Sequence, residues 1–167
     1  MYKRQAFGNN ADRRGPVIVA VITLNQTVAT YNDLTACDYF GAEFAPALTA
    51  VGWLEAGDTY RRGRSDFETY ERLMLLFQDP WQPRVFGGGH HCSLCQFSGP
   101  IGFTNLFIPN GSKIYVCPEL ITHYIACHHY SPPASFVEAV MKCPDTRTMD
   151  YKHLLLESGG RPLVKNA

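Results

Sequence analysis

Two cysteines separated by two residues, Cys92 and Cys95, directly follow two histidines, His90 and His91. This spacing lets a tight turn present both thiolates to one ion, and thiolates and imidazoles are ligands that zinc prefers. The chain contains no other C-x-x-C pattern, so we expect one zinc ion. The alternatives are two ordinary buried thiols or a redox pair. A redox pair usually opens a helix, whereas this pair precedes a predicted hairpin.

The other two ligands are expected from the segment that follows the hairpin. Strand-like runs at 105–109 and 112–117 flank Asn110-Gly111, a dipeptide typical of a type I′ turn. A helix is predicted from Pro118 to about His128, because proline suits the first helical turn. Knuckle, hairpin and helix in this order are typical of a treble-clef zinc site, in which the helix supplies the second pair of ligands.

His123 and His128 are the predicted ligands of that helix, which gives the pattern C-x2-C-x27-H-x4-H. Five residues of an ideal helix turn through about 500°, so these side chains point about 140° apart. Both can reach one ion only if the helix loosens near its end, which the double proline at 132–133 favours. His123 with Cys127, four residues apart, is an alternative pair. Other sets use Cys117, His90 or His129.

The rest of the chain predicts an α+β fold in which four to five helices surround the hairpin. A capping box at Ser65 and Glu68 predicts a helix start, followed by an apolar face at helical spacing. That face comprises Phe67, Tyr70, Met74 and Phe77, with Leu73 beside it. Further helices are predicted at about Pro46–Val51, from the double proline to Lys142, and at Thr148–Glu157. The aromatic residues expected in the core are Trp53, Trp81, Phe86 and Phe97.

Composition limits the domain organisation and the partners. Of 167 residues, 46% are hydrophobic and 18% are charged, which is typical of a globular chain. We expect a single domain over 31–167 and an N-terminal extension over 1–30. The eight-residue apolar run Val17–Leu24 is too short to span a membrane, and it favours a strand or a loose extension over a short signal. Six cysteines with one metal-like pair favour the reducing cytoplasm.

Charge argues against a broad nucleic-acid-binding face, because the formal net charge is zero. Arg61, Arg62 and Arg64 form a small basic cluster, which we expect to be a solvated loop. His153 is expected on the surface. The sequence contains no G-x-S-x-G, H-E-x-x-H, Walker or G-x-G-x-x-G motif.

Five stretches of the chain carry a family resemblance. They are DLTACDYF (33–40), AVGWLEAGDTY (50–60), DPWQPRVFGGGHHCSLCQF (79–97), NLFIPNGSKIYVCPELITHYIACHHYSPPASFVEAVMKCP (105–144) and TRTMDYKHLLLESGG (146–160). Together they resemble a family of small bacterial proteins of unknown function. That family has an H-x-C-x-x-C knuckle and a later H-Y-(I/V)-x-x-H-x-Y-x-P-P segment. The likeness covers about residues 31–160.

The resemblance supports the metal site and implies no activity. In the family, other residues stand at the positions of Cys117 and Cys127, which disfavours these two as ligands. Residues 1–30 lie outside the likeness. Carried onto this sequence, the first motif falls on His90, Cys92 and Cys95, and the second on His123, His128, Tyr130, Pro132 and Pro133.

Three functions are compatible with these observations. The favoured one is a zinc-stabilised binding protein with a protein partner, because four protein ligands would close the coordination sphere. The first alternative is a zinc-dependent hydrolase or nuclease in which His90 or His91 activates water, although the Asp-His pair usual before the hairpin is missing. The second is a nucleic-acid-binding module that uses the basic loop and the N-terminal tail. A membrane partner is not expected.

Overall fold

The computed structural model describes residues 30–83 and 88–165. The apolar run Val17–Leu24, the rest of the N-terminal extension, and Phe86 lie outside these ranges. The described chain has a mixed α+β architecture with five helices, as predicted, and its strands form two small sheets. In chain order the elements are β1 (Leu48–Ala50), α1 (Phe67–Leu76), β2 (His90–His91), β3 (Ile101–Gly102), β4 (Asn105–Asn110), β5 (Lys113–Pro118), α2 (Ile121–His128), α3 (Ala134–Lys142), α4 (Met149–Glu157) and α5 (Arg161–Lys165).

The hairpin of β4 and β5 is the centre of the fold. Its antiparallel register runs from the pair Asn105–Pro118 to the pair Asn110–Lys113. The prediction of a hairpin is confirmed, but its turn lies one residue later than expected. The two loop residues are Gly111 and Ser112, and of these only Gly111 has a positive φ, +63°. A glycine at the first of two loop residues is typical of a type II′ turn, the other common two-residue hairpin turn.

β1 is the third strand of the central sheet and pairs in parallel with β5, from Leu48–Ile114 to Ala50–Val116. The helix predicted at about Pro46–Val51 is therefore wrong. All three residues of β1 are buried, and pairing with a central strand outweighs the local signal of Pro46. Gly52 follows the strand with φ +73°, and a Cβ there would lie 2.8 Å from the Ile121 side chain. The position therefore requires glycine.

The helices pack around this sheet. α3 and α4 contact β4, while α1 contacts α3 and α2. Thr148 caps α4 through its hydroxyl, which accepts from the Tyr151 N–H. Asp66, rather than the predicted Ser65, caps α1, and its carboxylate accepts from the Thr69 N–H at 2.7 Å. No helix in the described ranges is both long and apolar enough to cross a membrane.

The buried face of α1 differs from the predicted one. Thr69, Leu73 and Leu76 are buried, whereas Phe67 is 69% exposed and Met74 is 45% exposed. The helix thus carries a second apolar stripe that does not face the core. Among the predicted core aromatics, Trp53 is buried and Trp81 half-buried. Phe97 is 85% exposed, so that prediction is wrong.

α2 begins three residues later than predicted. Pro118 pairs with Asn105 as the last residue of β5, and the Glu119 N–H still donates to the Thr104 carbonyl oxygen. The Glu119 carboxylate accepts from the N–H groups of Phe103 and Thr104. It therefore holds the β3–β4 connection and has no helix-capping role. The strand runs almost directly into the helix, which fixes α2 relative to the sheet.

Candidate metal centre

The knuckle, residues 92–99, is an irregular turn between β2 and β3. The Cys92 N–H donates to the Pro100 carbonyl oxygen at 3.1 Å and closes the turn. A Cβ at Gly99 would lie 2.9 Å from the Cys92 Cβ and 3.1 Å from the Cys95 Cβ. Glycine therefore allows the returning chain to pass close to both cysteines. The Ser93 hydroxyl accepts from the Ala56 N–H at 2.8 Å and ties the turn to the 52–58 loop.

The last turn of α2 brings His123 and His128 together. His128 is the final helical residue, and His129 adopts a left-handed conformation with φ +55°. The N–H groups of His129 and Tyr130 both donate to the Tyr124 carbonyl oxygen, five and six residues back. These bonds span a wider turn than the regular four-residue one. On an ideal helix the two histidines would point about 140° apart. The wider turn lets both side chains reach the same point.

Four ligand atoms converge between the knuckle and α2. The group comprises Cys92, Cys95, His123 and His128, whose ligand atoms all lie within 4.8 Å of one another. His128 Nε2 lies 3.3 Å from Cys92 Sγ, 3.4 Å from Cys95 Sγ and 3.1 Å from His123 Nε2. Cys95 Sγ lies 3.3 Å from His123 Nε2. The structure therefore brings all four predicted ligands into one cluster.

Hydrogen bonding alone does not account for this convergence. His128 Nε2 has three polar neighbours, but one ring nitrogen can offer a single proton or a single lone pair. A tetrahedral zinc site requires such an arrangement. Zn–N bonds of about 2.0–2.1 Å and Zn–S bonds of about 2.3 Å give edges of about 3.3–3.8 Å between ligand atoms. Four of the six separations, at 3.1–3.4 Å, are close to those edges and the other two are at most 4.8 Å, so the group could hold a metal ion.

The two histidines suit metal binding at neutral pH, whereas the Cys92 thiol must give up its proton to bind an ion. Burial raises the pKa of the Cys92 thiol, with a further contribution from Cys95 and opposition from nearby N–H groups. Burial lowers the pKa of His123, as does the neighbouring His128. Burial also lowers the pKa of His128, with help from the Arg62 and His129 charges. Both imidazoles are therefore neutral and have a free lone pair, and an ion must displace the thiol protons.

His90 supports the helix and does not belong to the cluster. Its Nε2 lies 3.1 Å from the Tyr124 hydroxyl oxygen, and that hydroxyl donates to the Leu54 carbonyl oxygen at 3.3 Å. Because the hydroxyl uses its own proton for Leu54, His90 Nε2 is the donor to Tyr124. The Trp53 ring packs edge-on at 6.0 Å from the His90 ring. These contacts connect β2, the 52–55 segment and the middle of α2.

A second anchor lies directly beyond the metal ligands and was not predicted from the sequence. Tyr130 is fully buried, and its hydroxyl lies 2.8 Å from both carboxylate oxygens of Asp33. The same carboxylate accepts from the Gly52 N–H at 2.9 Å. Burial, followed by the Asp33 charge, raises the pKa of Tyr130. Nothing local in the sequence signals this contact, because Asp33 and Tyr130 are 97 residues apart.

The remaining candidate ligands lie elsewhere. Cys117 is fully buried in β5, and burial raises the pKa of its thiol. Cys127, His129 and His91 are exposed and do not join the four-residue group, and His153 is exposed as predicted. All six cysteines lie within the described ranges, and none forms a disulfide.

The chain matches a known protein family. The model of a family described as a domain of unknown function (DUF7919) matches residues 29–141. The chain belongs to this family. The matched region of this DUF7919 chain contains the central sheet, the knuckle and all of α2, whereas α4 and α5 lie beyond it. No curated protein and no solved structure matches the chain.

Proposed function

We propose that this DUF7919 protein is a small binding protein whose structure is stabilised by one zinc ion. Cys92, Cys95, His123 and His128 would hold the ion. Thiolate and neutral imidazole together favour zinc over magnesium or calcium, which prefer oxygen ligands. Six unpaired cysteines suit a reducing compartment such as the cytoplasm. A single zinc domain over 31–167, with 1–30 as an extension, remains our proposal for the domain organisation.

One observation carries the structural assignment: four protein donors converge on one point. A catalytic zinc usually has three protein ligands and keeps its fourth position for water or substrate. Here the fourth position is taken by a protein side chain. Of the two candidates for activating water in a hydrolase, His90 is bonded to Tyr124 instead, and His91 lies outside the four-residue group. The order of knuckle, hairpin and helix supports a treble-clef arrangement.

The ion would join the knuckle to α2. The knuckle has no regular secondary structure, and α2 supplies His123 as its third residue and His128 as its last. Joining them fixes the end of α2 and the chain that leaves it. The role of the metal is thus to shape a surface, which is the reason for proposing a binding protein.

Metal content measured on ligand variants tests the proposal. Elemental analysis of reduced, freshly purified protein should give about one zinc per chain. Cobalt substitution should produce the intense visible absorption of tetrahedral cobalt with thiolate ligands. Cys95→Ser and His123→Ala should abolish both signals. The matched controls, Cys127→Ser and His153→Ala, alter exposed residues outside the cluster and should change neither.

Thermal melting distinguishes a structural from a catalytic ion. Binding energy at a structural site is largely folding energy, so removal of the metal by a strong chelator should sharply lower the melting temperature. A catalytic ion would leave the fold intact. If the chelated protein melts unchanged, the structural assignment is wrong and the hydrolase alternative becomes the better one. Absence of metal from the reduced protein would refute both.

A further inference from the structure

An open groove lies next to the metal centre, between α1 and the end of α2. Two adjoining cavities of about 760 and 560 Å³ form it, and both are lined by Arg64, Ser65 and Ile125. Phe67 and Tyr70 of α1 line one end, and Arg62 and His129 line the other. The groove therefore combines apolar, aromatic and cationic side chains.

The apolar side of the groove comes from the α1 stripe that the core does not cover. Phe67, Tyr70 and Met74 are spaced three and four residues apart, so they lie on one helical face. Phe67 is the most exposed of them, at 69%. Exposed large apolar residues grouped on one face are typical of binding surfaces. Ile125 of α2, which is half-buried, extends this apolar surface across the groove.

The cationic side of the groove is held in place by the chain that leaves α2. We name residues 60–65 the arginine loop. The Gly63 N–H donates to the His129 carbonyl oxygen, and the Ser131 N–H donates to the Arg61 carbonyl oxygen, both at 2.9 Å. The Arg62 guanidinium stacks over the Tyr60 ring, 5.0 Å from its centroid. Backbone bonds thus fix a loop that the sequence alone suggested was simply solvated.

Among the described residues, the charges of the arginine loop have no acidic partners. Within the described residues, the recorded ion pairs of arginine are those of Arg72 with Asp145 and Arg147 with Asp79. Arg62 and Arg64 form none, and both are exposed. Guanidinium groups bind carboxylates through paired, charge-assisted hydrogen bonds, so unpaired arginines beside an apolar surface favour an acidic ligand.

We propose that this groove docks an acidic segment of a partner protein, with carboxylates on Arg62 and Arg64 and an apolar side chain against Phe67 and Ile125. Arginine and aromatic residues are enriched in protein interfaces and supply much of their binding energy. A nucleic acid is less well matched. Only a few cations line the groove, and the net charge of the chain is zero.

The chain's own N-terminal extension does not have the complementary charge. Residues 1–29 contain Lys3, Arg4, Arg13 and Arg14 but only one acid, Asp12. A basic segment would be repelled by the arginine loop. The proposal rests on the proposed function, because the zinc fixes the end of α2 to which that loop is hydrogen-bonded.

A random dodecapeptide library displayed on phage, selected against the zinc-loaded full-length protein, tests the proposal. The enriched peptides should carry aspartate or glutamate around a large apolar residue. Synthetic versions of them should bind in fluorescence anisotropy, and their affinity should fall as salt rises. The double variant Arg62→Gln/Arg64→Gln and the single variant Phe67→Ser should each weaken binding at least about tenfold, as expected when charge-assisted or anchoring contacts are lost. Arg161→Gln, an exposed arginine of α5, is the matched control and should leave affinity unchanged.

Three results would overturn the proposal. The first is a selection that fails to enrich acidic peptides: either no peptide is enriched above the level seen with the double variant, or the enriched peptides contain no acidic residue. The second is tighter binding of a single-stranded oligothymidylate than of any selected peptide, with the same variants affected, which would assign the groove to nucleic acid. The third is a dimer that the wild-type protein forms in analytical ultracentrifugation and the double variant does not. That result would show that a second copy of the chain occupies the groove.

Zinc content separates a failure of this proposal from a failure of the proposed function. The groove variants should keep their zinc, whereas Cys92→Ser should lose both zinc and peptide binding. Zinc-loaded protein that selects no acidic peptide refutes only the groove. Protein that contains no zinc and still selects acidic peptides refutes only the metal assignment.

Discussion

In the β4–β5 hairpin, Leu106, Phe107 and Ile108 are fully buried and pair through a complete strand ladder with Tyr115, Val116 and Cys117. In the knuckle, residues 92–99 have no regular secondary structure, and they reach α2 through the side chains of Cys92 and Cys95. Burial of apolar surface and backbone pairing define the first region. The second is defined by four polar side chains that point at one another. The two regions should therefore respond differently to the same perturbation.

Metal removal should have the largest and most localised effect. Structural zinc contributes on the order of 10 kcal/mol in small fingers, so the chelated protein should lose most protection against hydrogen exchange in 92–99 and 121–130. Amides of β4 and β5 should keep theirs, because their ladder and burial do not involve the ion. Hydrogen exchange with mass spectrometry measures both regions in one experiment. A uniform loss of protection would show that the two regions are not independent.

Phe107→Ala should produce the opposite pattern. The Phe107 ring is fully buried and packs against the rings of Phe40 and Trp81. Its removal should reduce the free energy of unfolding by about 3–5 kcal/mol, as measured by urea denaturation, and leave zinc content unchanged. Phe97→Ala is the control, because Phe97 is 85% exposed and should change stability by less than about 0.5 kcal/mol. Comparable losses in both variants would contradict the burial argument.

Tyr130→Phe tests the anchor that holds the chain leaving α2 to Asp33. The variant keeps the ring but removes the hydroxyl that bonds to Asp33, so the part-buried carboxylate loses a donor. The expected loss is about 1.5–3 kcal/mol in the free energy of unfolding, with weaker zinc binding because the end of α2 is less well fixed. For Tyr70 the described structure records no hydroxyl hydrogen bond, so Tyr70→Phe should change neither quantity. If the two variants are equally stable, the Tyr130 hydroxyl does not stabilise the fold.

The sequence predicts best the features whose signals are local. The α+β class, the hairpin and the helices α3 and α4 follow from strand-forming runs, a tight-turn glycine, prolines and a capping threonine. The set of residues Cys92, Cys95, His123 and His128 follows from ligand chemistry and spacing. That these residues bind zinc stays a prediction, although their convergence in the structure supports it.

The features missed depend on contacts far apart in sequence. β1 is a strand because β5 offers it a parallel partner 66 residues later, which a window around Pro46 does not reveal. The sequence predicts an apolar face on α1 but not which apolar residues the core covers, because periodicity shows that a face is apolar and not which of two apolar faces is buried. Likewise, no local pattern predicts that Asp33 meets Tyr130 or that the arginine loop is bonded to the end of α2.

The smallest effect is expected at His129, where backbone strain and metal binding can be separated. His129 is exposed and has φ +55°, a conformation that costs a residue with a Cβ about 1 kcal/mol and costs glycine little. His129→Gly should therefore raise the free energy of unfolding by about 1 kcal/mol, or the melting temperature by about 2–4 °C for a chain of this size. Differential scanning calorimetry on the zinc-loaded protein provides the measurement.

His129→Ala is the matched control, because it removes the same imidazole but keeps the Cβ. It should show no gain in stability, so the difference between the two variants measures the strain of the left-handed residue. Both variants should keep one zinc per chain, since His129 does not belong to the four-residue group. If both variants lose zinc, His129 is a ligand and the wide turn at the end of α2 presents the wrong histidine. If only the glycine variant loses zinc, the left-handed conformation is needed to hold His128 in place, and the strain contributes to the geometry of the metal centre.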